Sequence, residues 1–285
     1  MARRPAAARP AVPAYKGAMS EPLPALVAYK SYAVIAWFAL LFMAERLRPA
    51  AAPRGAWRWD AARLGRNLGL WAINLAGSAL LVLPATAWAS RHGAAWRPGW
   101  WAGGGGLLLD LLLLDLLIYW WHRANHRLPV LWRFHEVHHL DGFLDTTTAL
   151  RVHFGEVILS AGFRAAVILL LGIPLASAVA FETLVLVAAL FHHSNLRLPP
   201  ALEAALARLV ITPSIHWVHH HARQIDTDSN YGTILSLWDP LFGSRNRRTR
   251  RTPEMTIGVE RERERPLLAL ALRPFRRAPS LAARR

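Results

Sequence analysis

The sequence predicts an all-α integral membrane bundle, four or five transmembrane helices with a helical cap gathered at one membrane face. Three observations predict it: apolar residues fall in blocks of bilayer length, arginines are unevenly shared between the loops, and histidines concentrate at the ends of the blocks. Of 285 residues, 54% are hydrophobic and only 18% are charged, against roughly 25% charged in an ordinary soluble domain. Mean hydropathy is +0.21. The sequence contains no cysteine, which excludes disulfide frameworks, thiolate zinc sites, iron–sulfur clusters and cysteine nucleophiles.

A spanning helix needs about 20 mostly apolar residues. The first such block runs over about 25–44, with Lys30 near its start, the second over 68–90 and the third over 104–121. The fourth and fifth, 154–171 and 173–191, are separated by Gly172-Ile173-Pro174, which reads as the tight turn of a helical hairpin. Five blocks in a chain of this length leave too little polar surface for a soluble protein with buried helices. Ahead of them, Arg3, Arg4 and Arg9 are accompanied by Pro5, Pro10 and Pro13 rather than by an apolar stretch, so residues 1–24 read as a disordered basic tail, not a cleaved signal. The stretch 246–285, arginine-rich from Arg245 onward, reads as a second basic tail.

Arginine placement sets an orientation. The loop between the first two blocks holds Arg46, Arg48, Arg54, Arg58, Arg63 and Arg66, and the next loop only Arg91 and Arg97. The basic loop is expected in the cytoplasm, and alternation puts the segment after Trp121 and the C-terminal third there too. The basic N-terminus then falls outside, so either the first block does not fully cross or the tail is translocated. The net charge of +16 is expected to meet anionic lipid headgroups, and no nucleic-acid partner is expected.

Twelve of the 13 histidines lie between 122 and 221. Three boxes stand out: His122-x3-His126, His135-x2-His138-His139 and His216-x2-His219-His220. Residues three and four apart share a helix face, so His122 can join His126 at one ion, His135 can join His138 or His139, and His216 can join His219 or His220. With His193 the set numbers nine. Imidazole suits iron, zinc, copper or nickel, and one ion takes roughly four to six ligands, so nine fit two ions. The expectation is a dinuclear site in a cytoplasmic cap. For His153, His192 and His221, ligation and a supporting role stay equally open. Asp115, Tyr119, His122 and His126 form one helical stripe, so Asp115 is expected to accept a hydrogen bond from a ligand imidazole. Asp110 and Arg164 are intramembrane charges for which a helix–helix ion pair is the plain reading. His135-Glu136-x2-His139 also fits the zinc metalloprotease pattern, with Glu136 as general base, but that reading leaves boxes one and three without a role. A non-catalytic metal-binding membrane protein is the other alternative.

These boxes and their surroundings resemble the fatty acid hydroxylase/sterol desaturase superfamily of integral membrane, histidine-box, non-haem di-iron enzymes. The matching text includes Asp115-x3-Tyr119-x2-His122-Arg123, Leu144-Asp145-Thr146-Thr147, Arg151-x-His153-x2-Glu156, His193-Ser194-Asn195, Asn230-Tyr231-Gly232 and Trp238-Asp239-Pro240-Leu241-Phe242-Gly243. Ser244 departs from the threonine common there. The organisation is then a tail (1–24), N-terminal transmembrane helices (25–103), a fatty acid hydroxylase-like catalytic domain (104–245) and a tail (246–285).

The resemblance implies an oxidoreductase holding two iron ions, with O2 as co-substrate, that hydroxylates or desaturates a C–H bond of a sterol, fatty acyl or related lipid. Glu136, Glu156 and Asp239, with Asp145 and Asp228, are acids near the boxes expected to orient imidazoles or carry protons. A ferredoxin, cytochrome or reductase is the implied electron donor. Arginine far outnumbers lysine (only Lys16 and Lys30) and alanine is abundant, which points to a GC-rich bacterial source and hence to a multi-pass protein of the bacterial inner membrane.

Overall fold

The structure, a computed structural model, describes residues 23–52 and 60–276, with side chains from 28 onward. The expected N-terminal tail, Arg54 and Arg58 lie outside the described residues, apart from the last two positions of the tail.

Helix α1 (Leu23–Leu47) is followed by α2 (Ala61–Gly77), which passes through a π-helical turn at Ser78–Val82 into α3 (Leu83–Arg91). Next come α4 (Gly103–Arg127), α5 (Pro129–His139), α6 (Phe154–Leu171) and α7 (Leu175–His193). Short helices complete the chain: α8 (Pro200–Leu206), α9 (Pro213–His219), α10 (Gln224–Thr227), α11 (Trp238–Leu241) and α12 (Leu267–Leu272). Among the described residues there is no strand, only isolated bridges such as Val210–Leu235 and His221–Ile257.

Among the described residues, four helical stretches are long and apolar enough to cross a membrane: Ala61–Arg91, Gly103–Arg127, Phe154–Leu171 and Leu175–His193. At 1.5 Å per residue the 25-residue α4 is about 37 Å long, more than the roughly 30 Å hydrocarbon core. The expected first span, α1, is not among the four. It lies beside α7, where Trp37 Nε1 donates to the Val187 carbonyl at 3.0 Å.

The hairpin at Gly172-Ile173-Pro174 is as expected. Gly172 adopts φ +60° as the C-cap of α6, and a Cβ there would stand 2.3 Å from the Ala94 carbonyl oxygen. Glycine is therefore required both by conformation and by the close approach of the preceding loop. Ala89, Leu114, Ile168, Ile173, Ala178 and Phe181 form the apolar core of the bundle.

Two prolines position the cap. Pro129 and Pro213 begin α5 and α9, each after an extended residue, Leu128 and Thr212. Proline suits the first helical turn and keeps the preceding residue out of the helical region. The chain therefore turns sharply after α4 and folds α5 back against it.

Residues 246–276 do not behave as a tail. Ile257 packs with Trp217 and Phe143, and Leu270, fully buried, packs with Leu70, Val137 and Leu140. Glu264 pairs with Arg151 at 2.8 Å and Arg273 with Glu136 at 2.8 Å. The arginine count disguised a segment whose apolar residues cover α2 and α5. Arg63, read as a loop charge, is likewise internal: its guanidinium meets Asp141 at 2.6 Å and Asp145 at 2.8 Å, all three buried.

Candidate metal centre

All nine histidines of the expected set converge at one end of the bundle. They form two groups, each with its ligand atoms within 4.8 Å of one another: His122, His126, His135, His139 and His219 in one, and His138, His193, His216 and His220 in the other. Helix geometry explains the division. Residues i and i+4 are about 40° apart around the axis, whereas i+3 and i+4 differ by about 100°. In boxes two and three the i,i+4 pair stays together, and the middle histidine, His138 or His219, crosses to the opposite group. The groups abut: the His139 and His220 rings stack with centroids 4.3 Å apart.

Hydrogen bonds orient the rings. Nδ1 of His122 meets the Tyr231 carbonyl at 2.8 Å, His138 that of Arg151 at 3.0 Å, His193 that of Ala189 at 2.7 Å and His219 that of Ser229 at 2.7 Å. Carbonyls only accept, so each Nδ1 carries the proton and each Nε2 presents a lone pair. His135 Nδ1 is held by the Glu156 carboxylate at 2.9 Å, which also accepts from Asn125 at 3.1 Å.

Do these groups fit a metal? Buried imidazole nitrogens without a hydrogen-bond partner include both of His126 and of His139, with Nε2 of His135 and His219. Each such atom costs about 1–3 kcal/mol, a poor outcome for a core and a normal one for a ligand set. In the second group, His138 Nε2 lies 3.0 Å from His193 Nε2, and His193 Nε2 lies 2.9 Å from His216 Nε2. With their protons on Nδ1, His138 and His193 oppose lone pair to lone pair, a repulsive contact that an intervening cation makes attractive. Metal–imidazole bonds of about 2.0–2.1 Å set donors at right angles about 3 Å apart. The two groups fit transition-metal ions.

Burial keeps the cap imidazoles neutral, the form that ligates. It pushes His138 down to about 4 and His219 to about 3, and holds His139, His216 and His220 well below the ordinary histidine range, assisted by neighbouring histidines.

Several supporting residues act differently from expectation. Asp115 accepts from no imidazole: it takes Trp238 Nε1 at 2.8 Å and the Leu235 amide at 3.1 Å, anchoring the loop after box three. Tyr119 bonds Ser244 Oγ at 2.7 Å. Asp239 accepts from the Tyr231 and Gly232 amides at 2.7 and 2.9 Å, and so holds the carbonyl that orients His122. His153 caps α6, accepting from the Gly155 amide, while His221 bonds Asp226 at 2.7 Å. His192 belongs to neither group, though its ring lies 4.0 Å from that of His216. Glu136 is engaged by Arg273, outside the cluster, which removes the general base that the protease reading requires. Asp110 pairs with Arg97 of the preceding loop at 2.6 Å rather than with another helix. Sequence reasoning missed the carbonyl acceptors, which carry no residue signature, and Asn125, whose signal was its place one residue before His126.

Comparison with known proteins agrees with this geometry. The fatty acid hydroxylase family profile matches residues 107–244. An ornithine lipid hydroxylase from Rhizobium tropici is 30% identical over 157 residues, 55% of this chain and 46% of that protein. Alkylglycerol monooxygenases from Danio rerio and Homo sapiens are 34% and 30% identical over 123 residues, 43% of this chain and 26% of each. The chain thus matches from about a quarter to about half the length of these relatives. No solved structure matches it. The matched segment, just under half of the chain, begins within α4 and takes in all three boxes and His193, and over it the chain is similar to the fatty acid hydroxylase family.

Proposed function

We propose that the protein is a membrane lipid hydroxylase that holds two iron ions, one in each histidine group. It inserts one atom of O2 into a lipid C–H bond. The balance is one lipid, one O2, two electrons and two protons giving hydroxylated lipid and water. The observation that carries the reading is the division of nine histidines into two abutting groups of five and four at one end of an apolar bundle.

When bound, the irons supply activation of O2 and storage of electrons. The chain supplies the rest. Carbonyls and Glu156 fix the tautomers of five imidazoles, and burial excludes protons that would compete for the ligand nitrogens. The apolar faces of α4, α6 and α7 receive the lipid. That the substrate is a lipid is carried over from the names of the relatives, an ornithine lipid hydroxylase and alkylglycerol monooxygenases. The histidine end faces the cytoplasm of a bacterial inner membrane, where a ferredoxin, cytochrome or reductase delivers electrons to its arginine-rich surface.

The test is lipid profiling of an expressing strain under 18-labelled O2. A lipid carrying one labelled oxygen is expected with the unaltered protein and absent with His122→Ala and His219→Ala. Labelled product retained in both variants would defeat the proposal.

A further inference from the structure

The metal centre leaves one intramembrane charge without a role. Arg164 lies on α6, ten residues into the span. A charged side chain at such depth costs at least about 2.5–3.5 kcal/mol and marks a functional site by default. Its guanidinium donates to Ser160 Oγ at 2.5 Å, while its Nε is buried without a hydrogen-bond partner. Among the described residues no carboxylate lies within 4.0 Å of it. Glu182 on α7 is the acid whose charge reaches it, but that carboxylate is taken by Lys30 at 2.6 Å. The three side chains together carry an excess of one positive charge.

Arg164 is the charged wall of a small cleft between α4, α6 and α7, with room for about one water, otherwise lined by Leu114, Leu117, Ile118, Phe163, Val167 and Phe181. Ile118 and Leu114 precede His122 by one and two helical turns, so the cleft lies about 6–12 Å along α4 from the histidines. Trp121 stacked on Phe163, centroids 5.1 Å apart, closes α4 against α6 on the way.

We propose that Arg164, with Ser160, receives a single anionic oxygen group, a carboxylate or a phosphate ester, of a lipid whose chain lies in the bilayer against α4 and α6. The planar guanidinium presents several N–H donors suited to such a group, and one negative charge neutralises the excess. The assignment deepens the proposed function and rests on it for the purpose of the binding. The binding itself needs no metal.

The test uses the full chain, stripped of metal, in dodecyl maltoside, with labelled palmitate competed by hexadecyl phosphate and by hexadecanol. Palmitate or hexadecyl phosphate is expected to bind at least about tenfold more tightly than hexadecanol, about 1.4 kcal/mol, and the tighter of the two identifies the group. Arg164→Leu should abolish that preference and Arg164→Lys should keep it. Glu182→Gln, which enlarges the positive excess, should strengthen it, an outcome that loss of a structural contact does not give. Equal affinity for palmitate, hexadecyl phosphate and hexadecanol, an unchanged preference in Arg164→Leu, or a weaker one in Glu182→Gln would overturn the proposal. If Arg164→Leu does not fold, Glu182→Gln decides. Because no metal is present, failure here leaves the hydroxylase reading standing, and the reverse also holds.

Discussion

Replacing Arg63 by methionine should cost more than any surface change, and the structure gives the size. Arg63 Nε and Nη2 donate to Asp141 at 2.6 and 3.0 Å, and Nη1 and Nη2 to Asp145 at 2.8 and 3.0 Å. Asp141 and Asp145 are fully buried, so removing the cation takes from both carboxylates their nearest positive partner and leaves them weaker ones, Arg151 and Arg46. Breaking a buried pair from one side costs about 3–5 kcal/mol. Asp141 also shows the pH dependence. Burial alone would raise its pKa, but Arg63 and Arg151 overcome burial and hold it at about 2. A carboxyl depressed in the folded state stabilises above its unfolded pKa, and that stability is lost as pH falls from 3.8 towards 2. The gap corresponds to roughly 2 kcal/mol. The loop involved ends at Arg151, whose carbonyl orients His138, so metal in the four-histidine group should be held more weakly as well. The assay is unfolding of purified Arg63→Met, alone and with Asp141→Asn, alongside its metal content. The double variant should recover part of the loss. A loss under about 1 kcal/mol in the single variant would refute the view that this ion cluster supports box two.

Three further outcomes are expected. Glu156→Ala, which leaves His135 Nδ1 without its acceptor, should weaken metal binding roughly 10–100-fold, whereas Glu156→Gln should be milder; equal metal affinity in all three proteins would remove Glu156 from the site. Glu136→Gln should keep metal and hydroxylation at the unaltered level and cost roughly 1–3 kcal/mol of stability through its lost pair with Arg273; loss of activity with stability intact would return Glu136 to the chemistry. Metal-free protein should be most stable above about pH 6.5, because His138 and His219, depressed to about 4 and about 3, take up protons below that pH only when the chain unfolds. Its melting midpoint should therefore fall from pH 6.5 to 5, and a rise over that range would contradict neutral burial of the boxes.

The histidine set was legible because spacing of three and four residues survives in the sequence whatever surrounds it. Its division was not. Whether His138 sides with His135 or opposes it depends on how α5 is rotated against α4 and α9, and that is fixed by Pro129 and Pro213 together with packing. The spans beyond α1 were legible from apolar length, and the hairpin at Gly172 from its breakers. The C-terminal segment was misread because its twelve arginines drew the reading away from its apolar residues, although Ile257 and Leu270 decide where it lies. Asp115 and Tyr119 share a stripe with His122, yet a stripe does not say which neighbour a side chain meets. Both turn instead to the returning segment 234–244, which is more than a hundred residues distant in sequence.

Iron analysis of anaerobically purified protein bears most directly on the two-group arrangement. Two irons per chain are expected, falling to one in the double variant His138→Ala, His193→Ala, in which the five-histidine group is intact. One iron in the unaltered protein, or none, or loss of both in that variant with the fold preserved, would contradict it.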